Sequence, residues 1–68
     1  MTDDAQTVLT YLLRKGYNSA RETAQECGLD EVRLDAALAE IDEAGTYLVQ
    51  KAVRRESYGR EVLWLERA

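Results

Sequence analysis

The 68-residue sequence contains no histidine, no proline and one cysteine, Cys27. A disulfide framework, a zinc site of cysteine and histidine ligands, and a histidine-based catalytic triad are therefore excluded within one chain. Apolar runs stay well below the roughly 20 residues that a membrane helix needs, and the opening segment, Met1 to Ala5, is acidic. We expect a soluble cytoplasmic protein without metal or cofactor, in which Cys27 is a small buried apolar residue.

Signatures of catalysis are also missing. Carboxylates are available for acid–base chemistry, but no recognisable motif fixes a pair of them, and no glycine-rich loop is present to cradle a phosphate. We therefore expect no catalytic residue, no small-molecule substrate and no membrane partner. The sequence favours a binding protein over an enzyme.

The length allows one domain, residues 1–68, near the lower limit for a self-sufficient hydrophobic core. The net charge of −4 is unevenly distributed. Residues 1–45 carry four basic and ten acidic groups, a net −6, whereas residues 46–68 carry five basic and three acidic groups, a net +2. The C-terminal third is thus the net-basic part of the chain.

A first helix is predicted over about residues 3–15. Thr2 or Asp3 can cap its start, and Gly16 ends it. Apolar residues that recur at helical spacing form the stripe that this helix buries: Val8, Leu9, Leu12, Leu13. The next two residues are expected to form a short extended link.

A second helix, about residues 20–27, is predicted by a capping box in which Ser19 and Glu22 satisfy backbone amides reciprocally. Gly28 is suited to the tight turn that follows because it adopts positive φ without steric cost. Asp30 is a natural cap for a third helix, about residues 31–44. Leu34 lies at the centre of the apolar face of that helix, and Gly45 ends it.

The spacing Ala24-x-x-x-Gly28-x-x-x-x-x-Leu34 resembles the helix-turn-helix signature. Two strands, about residues 47–55 and 60–67, follow it and form a hairpin. Three helices followed by a two-stranded hairpin resemble the winged helix-turn-helix family of small bacterial, archaeal or viral transcription regulators, an α+β fold. The resemblance implies that the third helix enters the major groove of DNA while the hairpin, the wing, contacts the backbone or the minor groove.

The outward face of the third helix is poorly suited to that role. Stepping 100° per residue from Leu34 places apolar residues and one carboxylate on this face: Val32, Ala36, Ala39, Glu43. Carboxylates flank the face on both sides: Asp35, Glu40, Asp42. No side chain that pairs with base edges in two hydrogen bonds points outward, and Arg33, on the flank, is expected in a surface ion pair with a nearby carboxylate.

The wing is the better candidate for DNA contact. Its candidate residues are Lys51, Arg54, Arg55, Tyr58 and Arg60, and those at the start of the second helix are Asn18, Ser19 and Arg21. The alternative is that charges on an edge strand only discourage aggregation.

The hairpin also predicts an interface. If Arg55 pairs with Arg60, Leu48, Leu63 and Leu65 form the core face and Lys51 lies opposite Trp64, within reach of a cation–π contact. An apolar and aromatic face is then left partly exposed: Tyr47, Val49, Val53, Val62, Trp64. A bulge at Gly59 that shifts the register, or coverage by helix 1 and the chain ends, would remove this patch.

Two functions follow from these patterns. The first is a transcription regulator that binds double-stranded DNA through the wing, as a homodimer because one such domain contacts little DNA. The second is a protein-interaction domain that docks a basic protein partner on the strip of Val32, Ala36 and Ala39 with its acidic border, or uses the aromatic wing face.

Overall fold

The fold is described by a computed structural model that covers residues 1–53 and 58–68. Within these ranges the chain is α+β, with three helices and one sheet of three antiparallel strands in the order β1-β3-β2. In chain order the elements are α1 (Asp3–Lys15), β1 (Tyr17–Ser19), α2 (Ala20–Cys27), α3 (Glu31–Ala44), β2 (Tyr47–Val53) and β3 (Glu61–Arg67). The predicted strand residues Arg54 and Arg55 lie outside the described residues.

Each helix begins at a side chain that caps its first amides, Thr2 for α1, Ser19 for α2 and Asp30 for α3. Half of the predicted capping box is present, since Ser19 Oγ accepts from the amide of Glu22 at 3.1 Å. The reciprocal half was predicted wrongly, because the amide of Ser19 donates instead to Asn18 Oδ1 at 2.8 Å.

The predicted turn between α2 and α3 is confirmed at Gly28. Its φ of 69° lies in the left-handed region that glycine tolerates best. The amide of the next residue, Leu29, donates to the carbonyl of Ala24 at 2.9 Å and closes the end of α2. Leu29 is partly buried and packs against the core.

The structure corrects the prediction of a two-stranded sheet. Tyr17–Ser19 is not a plain link but a strand, β1, which pairs with β3. Tyr17 lies opposite Trp64, and Ser19 lies opposite Val62. Because Ser19 is both the last residue of β1 and the cap of α2, this pairing fixes the start of α2 beside the start of β3.

The register of β2 with β3 also differs from the prediction by one residue. Lys51 lies opposite Leu63, not opposite Trp64, whose partner on β2 is Gln50. Since side chains alternate between the two faces of a strand, this difference changes which residues of β2 share a face with Leu63.

The placement of four hairpin residues differs from the prediction. Tyr47 and Val49, predicted on the face away from the core, lie on the core face and are half-buried, and Leu48, predicted in the core, is 41% exposed. Val62, predicted to be partly exposed, is only 3% exposed although it lies on the opposite face of the sheet from the core cluster. Val53 is exposed, as predicted.

The hydrophobic core lies between the helices and one face of the sheet. Leu63 on the central strand β3 is fully buried, as predicted, and packs with Leu12 of α1 and Ile41 of α3. Cys27 is half-buried at the margin of this cluster, and this burial raises the pKa of its thiol. No described helix is long and apolar enough to cross a membrane.

Candidate nucleic-acid interface

Arg33, the basic residue of α3, is held by the fold. Its guanidinium donates to both carboxylate oxygens of Asp4 on α1, with Nη2–Oδ1 at 2.7 Å and Nε–Oδ2 at 2.9 Å. The hydrogen bond and charge of Arg33 lower the pKa of Asp4. The predicted surface ion pair is thus confirmed, and its carboxylate comes from α1.

The acidic border of α3 also contacts other elements of the fold. Glu40 accepts from the amide of Thr2 at 3.0 Å and from its hydroxyl at 2.8 Å, and these hydrogen bonds lower the pKa of Glu40. Asp42 Oδ1 accepts from the amide of Val49 on the edge strand β2 at 3.0 Å. These two carboxylates attach α3 to the start of α1 and to the edge of the sheet, a structural use that the sequence analysis did not predict.

The outward face of α3 carries no group that reads base edges. Val32 is 78% exposed, and Ala36, Ala39 and Glu43 are also exposed. Small apolar side chains offer contact with a thymine methyl but no hydrogen bond to a base. The exposed face of α3 therefore has the small apolar and acidic composition that its sequence predicts.

Of the three candidates at the start of α2, two have a structural role and one is exposed. Asn18 uses both ends of its amide, since Nδ2 donates to the hydroxyl of Tyr11 at 2.5 Å and Oδ1 accepts from the amide of Ser19. Ser19 is occupied as the cap of α2. Arg21 remains the exposed candidate of this group.

Arg21 and Arg60 line one polar cleft of about 330 Å³. The other residues that line it are Ser19, Glu22 and Gln25. The two arginines meet because Ser19 on β1 pairs with Val62 on β3. Arg21 lies two residues after Ser19, and Arg60 lies two residues before Val62, so both lie at the same end of this antiparallel pair. The sequence predicted both arginines as candidates but not that they share a cleft.

A second, larger groove of about 640 Å³ lies beside this cleft and contains Lys51. Its apolar lining includes Ala24 and Leu34. Four carboxylates line it, namely Asp30, Glu31, Asp35 and Glu61, against the two cations Arg21 and Lys51. Lys51 Nζ lies 4.0 Å from Asp35 Oδ1, an exposed pair that contributes little to stability.

Gln25 lines both the cleft and the groove, and the sequence analysis did not name it as a candidate. Its position four residues after Arg21 was the available signal, because residues i and i+4 lie on the same helix face.

In the hairpin turn, Tyr58 is 94% exposed with a φ of 53°. Its predicted neighbours in this basic tip, Arg54 and Arg55, lie outside the described residues.

The sheet face turned away from the helices holds part of the predicted partner interface. Trp64 is half-buried, and its indole Nε1 donates to Glu66 Oε1 at 3.1 Å. Tyr17 lies opposite it on β1, and Gln50 lies opposite it on β2. The apolar patch is thus smaller than predicted, since Val62 beside it is buried.

Within the described ranges, no cluster of three or more cysteine, aspartate or glutamate side chains is placed to hold a metal ion. Comparisons with models of protein families, with curated proteins and with solved structures found no match to this chain.

Proposed function

We propose that this protein binds double-stranded DNA as a small winged-helix regulator, and that the hairpin and the start of α2, rather than α3, make the contact. The observation that carries the proposal is the shared cleft of Arg21 and Arg60. Among the described residues that line this cleft, two guanidinium groups stand against one carboxylate, that of Glu22. Arginine pairs with phosphate oxygens through two parallel hydrogen bonds.

The position of the cleft supports a phosphate as its occupant. It lies at the N-terminus of α2, where backbone amides and the helix dipole favour an anion. The neighbouring groove has two cations and four carboxylates, so a DNA backbone is expected to avoid it. The phosphates therefore belong to the cleft and to the exposed turn at Tyr58.

The order of elements supports the same proposal. A helix-turn-helix from α2 to α3 precedes a hairpin, as the resemblance implies, and the additional strand β1 brings the two together. One such domain covers little of a duplex, so we expect two copies to bind neighbouring half-sites. Sedimentation of the protein on a duplex of 30 base pairs or so would give the number of copies bound.

The test is a titration of fluorescent duplex DNA at several salt concentrations, followed by anisotropy. About three phosphate contacts give a slope of log K against log salt near −3, and loss of one contact flattens it by about 0.9. Arg60→Ala is expected to show that flattening. Arg67→Ala is the matched control, since it removes the same charge from the other end of β3, about 23 Å away.

Two results would overturn the proposal. One is the absence of binding at low salt by a protein whose circular dichroism shows it folded. The other is an equal loss from Arg60→Ala and Arg67→Ala, which would mean that only overall charge matters.

A second function, docking of a basic protein partner on α3, is favoured by the exposure of Val32 and by the outward carboxylate Glu43. Under this hypothesis a labelled arginine-rich peptide binds, Glu43→Gln and Val32→Asp change its affinity, and Arg60→Ala does not weaken it. DNA binding that is insensitive to both α3 substitutions would favour the first function.

A further inference from the structure

We propose that base recognition on this surface is performed by α2, with Arg21 and Gln25 as the residues that determine DNA sequence preference. The inference rests on the proposed DNA-binding function and concerns the same surface. It departs from the expectation that α3 reads the bases.

Arg21 and Gln25 form a ridge on the exposed side of α2. They are four residues apart, so their side chains lie one helical turn apart along one face, a rise of about 6 Å. Both residues are exposed, and both line the polar cleft as well as the acidic groove. The Arg21–Gln25 ridge therefore lies between the polar cleft and the acidic groove.

The two side chains are available for an outside partner. Among residues 1–53 and 58–68, neither the guanidinium of Arg21 nor the amide of Gln25 has a hydrogen-bond or ion-pair partner. Arg33 and Asn18 carry the same chemical groups, but Asp4 and Tyr11 occupy them. The ridge thus presents an arginine and an amide that no described residue occupies.

The chemistry of the pair matches base edges. Arginine donates two hydrogen bonds to O6 and N7 of guanine, and glutamine pairs in two hydrogen bonds with N6 and N7 of adenine. A separation of about 6 Å along the helix spans about two steps of 3.4 Å in a DNA strand. We therefore expect a preference for a guanine and an adenine about two positions apart.

Arg60 complements the ridge from the side of β3. It lines the same cleft as Arg21 and Gln25, so a phosphate held there by Arg60 and the first amides of α2 would leave the Arg21 guanidinium for a base of the same strand. The helix α2, with eight residues, is about 12 Å long, comparable to the width of the major groove of about 12 Å. The acidic groove on the other side of the ridge keeps the opposite backbone away from α3.

The experiment is selection of bound duplexes from a randomised pool, followed by anisotropy titration of the preferred duplex and of variants with single base changes. The proteins are wild type, Arg21→Lys, Gln25→Ala and, as the matched control, Gln6→Ala, which removes an exposed glutamine from α1. Arg21→Lys keeps the charge but loses the paired hydrogen bonds. It should retain the salt slope and lose about 5- to 150-fold of the guanine preference.

Gln25→Ala should lose the adenine preference by a similar factor, while Gln6→Ala behaves as wild type. If the wild type binds duplex DNA without sequence preference, or if Gln25→Ala keeps the full preference, the inference fails while the proposed function stands. If no folded variant binds any duplex, the proposed function fails and the inference with it.

Discussion

Replacing Leu63 and Leu48 by alanine in separate variants tests the register of the hairpin. Leu63 is fully buried on the central strand, so Leu63→Ala leaves a cavity and should lower the free energy of unfolding by about 3 to 5 kcal/mol. Leu48 is 41% exposed on the opposite sheet face, so Leu48→Ala loses part of its burial and leaves no enclosed cavity. We expect about 1 kcal/mol or less for this variant.

The difference is large for a domain of this size. Its total stability is expected to be about 3 to 10 kcal/mol, so Leu63→Ala populates the unfolded state measurably, whereas Leu48→Ala does not. Urea unfolding followed by circular dichroism and by the fluorescence of Trp64 measures both effects. A slope of about 1 kcal/mol per molar urea makes the midpoint of Leu63→Ala lower by several molar units.

Val49→Ala provides the second comparison. Val49 packs against the core, so its substitution should cost more than that of its larger neighbour Leu48. The reverse order, or equal losses for Leu48→Ala and Leu63→Ala, would refute the register and restore the pairing in which both leucines face the helices.

Three further predictions concern contacts that hold the helices. Asp4 and Glu40 have lowered pKa values in the folded protein, so the stability that they contribute is present at neutral pH and is lost as the pH falls from their ordinary values, 3.8 and 4.5, through the lowered ones. The melting temperature should fall between pH 7 and pH 2, and Arg33→Ala should make this fall smaller. The same fall in Arg33→Ala as in the wild type would contradict a stabilising role of the Arg33–Asp4 pair. Asn18→Ala removes both hydrogen bonds of a half-buried amide and should lower the free energy of unfolding in urea by about 1 to 3 kcal/mol. A loss below about 0.5 kcal/mol would mean that these hydrogen bonds do not stabilise the connection between β1 and α2. Cys27 should react with iodoacetamide more slowly than a free thiol at pH 8 because burial raises its pKa, and unfolding in concentrated urea should remove the difference.

Local signals predicted the helices well because their evidence is contained within a few residues. The caps at Thr2, Ser19 and Asp30 and the turn at Gly28 each need only neighbours in sequence, and all are found in the structure. By contrast, β1 has three residues, too few to show a period of two.

The register could not be predicted for a related reason. Apolar residues occupy both faces of the hairpin, so the alternation fits two pairings that differ by one residue. The choice depends on contacts with the helices, such as the hydrogen bond from Val49 to Asp42. The contact between Glu40 and Thr2 joins residues 38 positions apart, a separation for which the sequence carries no local sign.

The candidate site shows the same division. Arg21 and Arg60 were recognisable as exposed basic residues, but their meeting in one cleft depends on the pairing of β1 with β3. Gln25 stood on a helix that the family resemblance does not assign to base recognition.

Ser19 is both the last residue of β1 and the cap of α2, so no linker residue separates the sheet from the helix. One extra residue inserted after Ser19 would advance the phase of α2 by 100° and turn Arg21 away from Arg60. The spacing between the strand pair and the helix is therefore as much a part of the candidate site as the identities of its side chains. Changes of chain length at this junction should be tolerated far less than changes of residue type on the exposed face of α2.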